Sequence, residues 1–229
     1  MLKRFCAIFF VALMLAASVS AFAADTDERL SNAAQVMDEI VNVPEGIPTD
    51  LLDRSYCVVV IPSVKKLAFG IGGSYGRGVM VCRGGQDFRG PWGAPAMVRL
   101  EGGSFGFQIG AQANDYVLLI MNEHGATQLL KHKVKLGADL SAAAGPVGRA
   151  ATAETDLTMH AEILSYSRSR GLFAGVSLAG STLRADDDSN RDLYRQDISP
   201  QQIIEGKVAV PNAGKRLVGK LEKTSPKRS

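Results

Sequence analysis

The sequence predicts an α+β, β-dominated fold: a glycine-rich antiparallel sheet curled into a barrel or sandwich, with an N-terminal amphipathic helix and short peripheral helices. Three observations predict it. Apolar segments of strand length recur from Tyr56 to Leu178, with little room for crossover helices between them. Glycine, 24 of 229 residues, falls inside those segments as well as between them, which calls for bulges, sharp coiling or backbones packed closely across a small interior. A helical period of three and four is confined to the region before Val41 and to short pieces elsewhere.

In chain order, Lys3-Arg4, the apolar run Phe5 to Ala17 and the A-x-A triplet Ala21-Phe22-Ala23 read as a secretory signal peptide over residues 1–23. The run is shorter than the roughly 20 apolar residues that a membrane span needs. Glycines and charges interrupt every later candidate, so the mature chain is expected to carry no span. A lipoprotein signal would place a cysteine after the apolar run, whereas Cys6 lies at its beginning. The expected destination is periplasmic or extracellular, with an uncleaved N-terminal anchor as the alternative. Cleavage would remove Lys3 and Arg4, taking 26 basic residues to 24 against 23 acidic ones and the net charge from +3 to +1. So balanced a chain lacks the positive stripe of a nucleic-acid binder.

From Asp25 to Val41, Leu30, Ala33, Ala34, Met37, Ile40 and Val41 share one face of an amphipathic helix. Pro44, Gly46 and Pro48 end it, and a short helical piece over Thr49 to Arg54 leads into the valine-rich strand Tyr56 to Ile61. Further strands are expected at Leu67 to Ser74, Gly78 to Arg83, Ala96 to Glu101, Ser104 to Gln112, Tyr116 to Met121, Val134 to Ala144, Glu162 to Ser169 and Leu172 to Leu178. Asn122 caps a helix running to Lys131, and Ser199-Pro200 forms an N-cap and N1 pair. Gly72-Gly73-Ser74-Tyr75-Gly76 returns as Gly102-Gly103-Ser104-Phe105-Gly106, an echo that suggests equivalent strand bends. The stretch from Gly214 reads as a basic tail. The domains are therefore 1–23, a signal peptide; 24–195, the folded domain; and 196–229, a C-terminal helix and tail.

Cys57 and Cys82 are the cysteines outside the signal segment, and on two strands of an exported protein they invite a disulfide. Two buried free thiols are the alternative. Metal binding lacks support, since no C-x-x-C is present and His124, His132 and His160 show no ligand spacing. Ser74 and Ser104 each match G-x-S-x-G, but a nucleophile elbow needs a helix after the turn, and both matches continue as strands. Asp186, Asp188 and Asn190 imitate the start of a calcium loop, yet Arg191 stands where its glycine belongs. No nucleotide motif is present, and no cofactor is expected. The better lead is basic residues beside aromatics and turns: Lys65 and Lys66 after Pro62-Ser63, Arg77 after Tyr75-Gly76, and Arg168 and Arg170 after Tyr166. Such groups can hold phosphate oxygens while a ring lies at the acyl boundary; charged guards of sheet edges would look the same.

Taken together, Val60-Ile61-Pro62-Ser63-Val64-Lys65-Lys66, Gly72 to Gly78, Gly102 to Gly110, Lys135 to Asp139, Ala144 to Arg149 and Tyr166 to Val176 resemble the SYLF domain family, as an exported bacterial member. The resemblance spans roughly Ala33 to Tyr194. It implies a non-enzymatic module: eukaryotic relatives bind phosphoinositide-containing membranes, partly through an N-terminal amphipathic helix, and fungal ones also contact actin and an actin-assembly factor. Here Asp25, Asp27, Glu28, Asp38 and Glu39 outnumber Arg29 on that helix, which disfavours an anionic bilayer there. The expected partner is an anionic phospholipid or membrane surface, met by Lys65, Lys66, Arg77, Arg168 and Arg170 or by the tail. The alternative is a structural or protein-partner module of the envelope.

Overall fold

The computed structural model describes residues 25–43, 46–131, 133–148, 160–169 and 172–228, with the backbone alone at 67–72 and 103–112. The proposed signal segment and Arg170 lie outside the described residues. Helix α1 spans 25–42 and buries Leu30, Ala33, Ala34, Met37 and Ile40, the stripe its periodicity marks. Helix α2, Thr49–Arg54, turns the chain into the sheet.

The segments expected as separate strands between Tyr56 and Met121 run on as two long ones, β1 (Cys57–Cys82) and β2 (Ala96–Ile120), paired antiparallel from Cys57↔Ile120 to Met80↔Ala96. Extended, the 26 residues of β1 would span about 85 Å, yet its ends touch. Cys57 and Cys82 form a disulfide with Cα atoms 3.9 Å apart, and the Arg83 N–H donates to the Tyr56 carbonyl at 2.9 Å. β1 thus doubles back on itself, with β2 following alongside. Glycine makes this possible at Gly78, where a Cβ would overlap the Val60 carbonyl, and at Gly76, where it would meet Val64 and Ile61. The two copies of the glycine echo pair with each other, Gly72 opposite Ser104 and Ser74 opposite Gly102, beside a register shift between Phe69 and Ile71.

The remaining strands are β3 (Val134–Lys135), β4 (Ala142–Ala144), β5 (Ile163–Ser169), β6 (Leu172–Gly175) and β7 (Thr182–Ala185). They complete one curled sheet in the order β3-β7-β2-β5-β4, with β1 on β2 and β6 on β5. Two expectations change. The strand expected over Val134 to Ala144 is broken by a turn in which Gly137 adopts φ +80° and donates to Leu140 O. The sheet is also not wholly antiparallel, because β4 runs parallel to β5.

Helix α3 (Glu123–Lys131) is capped by Asn122, whose side chain accepts from Gly125 N at 2.7 Å. Helix α4 is Asp187–Tyr194. Helix α5 begins at Pro200 with a Ser199 capping box and unwinds into a π turn over Ile203–Lys207. The expected basic tail is mostly helix α6, Lys215–Thr224, which buries Leu217, Val218 and Leu221. Both faces of β1 are covered over Cys57–Ile61, as the alternation there shows. Cys57, Val59 and Ile61 face the concave core with Met80, Leu100 and Leu118, while Val58 and Val60 pack with α1, α2 and α6 on the outer side.

Candidate functional site

The seam between α1 and the sheet is built on one buried carboxylate. Asp186, fully buried at the head of α4, receives Arg77 Nε at 3.1 Å, Arg29 Nη1 at 3.5 Å and the Ser189 hydroxyl at 2.9 Å, with Arg99 Nη1 at 4.0 Å. Asp25 bridges the same two arginines, 2.6 Å from Arg29 and 3.0 Å from Arg77. Burial lowers the pKa of Arg29, and neighbouring Arg77 adds to the shift. For Arg77 burial also works against the charge, but Asp186 and its neighbours outweigh it and the net shift is upward. Asn190 gives its side chain to both the N–H and the carbonyl of Met97. The sequence that imitates a calcium loop is therefore the structural root of α4.

Above this cluster lies an open cleft of about 270 Å³, lined by Asp25, Arg29, Pro62, Ser63, Lys65, Tyr75 and Arg77. It brings Lys65 and Arg77 to one place. Pro62-Ser63 forms a bulge in β1, with Ser63 at φ +51° and its N–H held by Asp115 at 2.8 Å. Lys65 is exposed beyond the bulge, and Lys66 Nζ lies 5.4 Å from the centroid of the Tyr116 ring. Arg168 is engaged by Glu39 of α1 and, at 3.3 Å, by Asp115. Arg77 and Arg168 thus clamp α1 through carboxylates, which sequence reasoning did not foresee; the acids of α1 were the signal available.

Register unites the remaining features. Asp115 of β2 opposes Arg168, and Ala113, two residues earlier, opposes Lys65. Ser169, which ends β5, and Leu172, which begins β6, therefore lie at the same end of the sheet as Lys65. Ser169 pairs with Leu172, and Leu172 is 77% exposed.

Among the described side chains, no serine and histidine are brought together as a nucleophilic relay. Ser74 sits inside β1 against Gly102. His124 Nδ1 lies 2.6 Å from Glu162, which itself accepts from the Ser141 N–H and hydroxyl; the carboxylate, not the imidazole, stands in the middle. Burial opposes the charge on Glu162, but His124 and Ser141 hold its pKa below the usual carboxylate value. Among the described residues no group of His, Cys, Asp or Glu could hold a metal ion, and no helix is long and apolar enough to cross a membrane.

The site is thus a curled sheet clamped to helix α1 by ion pairs, with lysines and an exposed leucine at one end. A sequence profile described as "Ysc84: Las17-binding protein actin regulator" matches residues 101–224. An SH3 domain-containing protein of Schizosaccharomyces pombe is 38% identical across 78% of this chain and 41% of its own length. Protein YSC84 of Saccharomyces cerevisiae is 31% identical across 81% of this chain and 39% of its own, and human SH3 domain-containing YSC84-like protein 1 is 32% identical across 85% and 58%. The chain belongs to the Ysc84, or SYLF, family. It spans about two-fifths of the length of the yeast relatives.

Proposed function

We propose that this chain is a non-enzymatic, exported module of the cell envelope that docks on anionic phospholipid surfaces through the sheet end carrying Lys65, Lys66 and Leu172. The single observation that carries the reading is Leu172, 77% exposed at the start of β6, at the same end of the sheet as exposed Lys65. An apolar side chain so placed gains from entering the acyl boundary while an ammonium at the same end meets phosphate. Arg77 and Arg168 contribute mainly by holding α1, since each already meets two carboxylates. Export is supported by the Phe5 to Ala23 pattern and by the Cys57–Cys82 disulfide, a bond that persists in oxidising compartments.

A protein partner is the second reading, favoured by the family's description as Las17-binding. Liposome flotation separates the two. Flotation with anionic but not neutral vesicles, weakened by salt and by Leu172→Asp or the pair Lys65→Glu, Lys66→Glu, is expected. Absence of flotation under every condition sinks the lipid reading and leaves the protein partner.

A further inference from the structure

The outer face of the sheet carries a row of cations in cross-strand register. Arg77 of β1 pairs with Arg99 of β2, and Arg99 with Arg184 of β7. The β3–β7 register, Val134 opposite Leu183 and Lys135 opposite Thr182, continued by one residue sets Lys133 against Arg184. Val98, Leu100, Leu183 and Val134 turn to the concave core, so Arg99, Arg184 and Lys133, which alternate with them, turn outward. Neighbouring strands lie about 4.8 Å apart, and like charges directly opposite one another repel.

The protein neutralises only part of this row. Arg77 is saturated by Asp186, Asp25 and Ser189. Arg184 gives Nε and Nη2 to one oxygen of Glu101, at 3.2 and 2.7 Å, which leaves its Nη1. Arg99 is served least: Glu101 stands 3.6 Å from its Nε and Asp186 4.0 Å from its Nη1. A quarter of the Arg99 side chain is exposed, and of its nitrogens only Nε is buried without a partner, so the Nη groups stay open to a ligand. Lys133 and Lys135 are exposed. Between α3, β7 and α5 the row opens into a cleft of about 350 Å³ lined by Lys131, Lys133, Arg184 and Ser199. Asp187 lines the same cleft, and with Glu101 it is the opposing charge on this face; Asp139 is turned to the Lys135 N–H at 2.7 Å.

Lysines on the edge strand β3 would by themselves block pairing with another chain. Arg99 has no such duty, because β2 is paired on both sides there. A lipid surface finds little apolar foothold. Tyr75, Val147 and Leu172 are the exposed large apolar side chains among the described residues, and of these Tyr75, opposite Glu101, lies in register beside the row. One aromatic at one end cannot interleave with the cations as stacked bases require.

We infer that this face binds a linear acidic polysaccharide laid across the strands, its sulfate or carboxylate groups meeting Arg99, Arg184 and Lys133. The anionic groups supply the acceptors that Glu101 does not and relieve the repulsion between opposed cations. The face is distinct from the end that carries Lys65 and Leu172, so its failure would leave the lipid reading standing.

The full chain is titrated into fluorescent dextran sulfate and followed by anisotropy. Saturable binding that weakens with salt is expected, with none to neutral dextran. Lys133→Glu, an exposed change, should weaken it about fivefold, as should Arg99→Gln. Lys223→Glu on α6, the same change of net charge elsewhere, should leave it within about twofold. Asp187→Asn should tighten binding about twofold by removing the opposing charge, a gain that a purely structural role for the row would not produce. No binding, equal binding of neutral dextran, equal weakening by Lys133→Glu and Lys223→Glu, or no tightening in Asp187→Asn would each overturn the assignment. Stronger binding of single-stranded DNA or of anionic vesicles at this face would overturn it in favour of those ligands.

Discussion

At the scale of single residues, the molecule concentrates its demands where backbones or charges are forced together. A Cβ at Gly145 would overlap the ring of Tyr166, a buried side chain whose pKa burial pushes upward. Gly145→Ala should therefore cost about 1–3 kcal/mol by overpacking, read as a lower urea midpoint at constant m. Asp186 is the other extreme. Asp186→Asn keeps the shape but leaves the buried Arg29 and Arg77 with only the more exposed Asp25 as a shared carboxylate, and should cost about 3 kcal/mol in the same measurement. Neither demand is visible in composition. The aspartate looked like a poor calcium ligand because nothing local reveals that Arg29, over 150 residues away, ends beside it.

Among the elements, α1 is bound on both flanks: Glu39 meets Arg168 on one side, and Asp38 meets Arg216 and Lys220 of α6 on the other. The hydrogen bond from Lys220, aided by Arg216, holds the Asp38 pKa below the ordinary aspartate value. A depressed folded pKa contributes stability that is present above the unfolded value, about 3.9, and is lost as pH falls through the folded one. Asp38 is solvated, so screening keeps the contribution to about 0.5 kcal/mol at most. Asp38→Asn should flatten the acid limb of the stability curve below pH about 4, measured by denaturant titration across pH. These elements were largely legible: α1, α3 and the strand segments follow from period and capping. The docking of α6 was not, because its lysines outweigh Leu217, Val218 and Leu221 in a reading by composition. The break inside Val134 to Ala144 escaped for a related reason, since Gly137 among so many glycines carries no distinctive mark.

For the whole molecule, the curled sheet was legible from many short β segments with glycine inside them. The doubling of β1 was not, because separate strands and one folded strand share the same alternation. Of the proposed rim, Lys65 and Lys66 stand out in the sequence by their place after Pro62-Ser63. Leu172 was missed as a contact because an exposed leucine in a strand looks like core. Reduction of Cys57–Cys82 should lower the unfolding free energy by about 3 kcal/mol through the freed unfolded chain, seen as a shift of the guanidinium midpoint with reductant. The same bond makes β1 a covalent ring that shares only its closing residues with the rest of the chain. A tryptic nick after Lys65 or Lys66 opens that ring without parting the polypeptide. The cut protein would then migrate as one band without thiol and as two fragments with it, so cleavage at the rim can be scored while the body stays assembled.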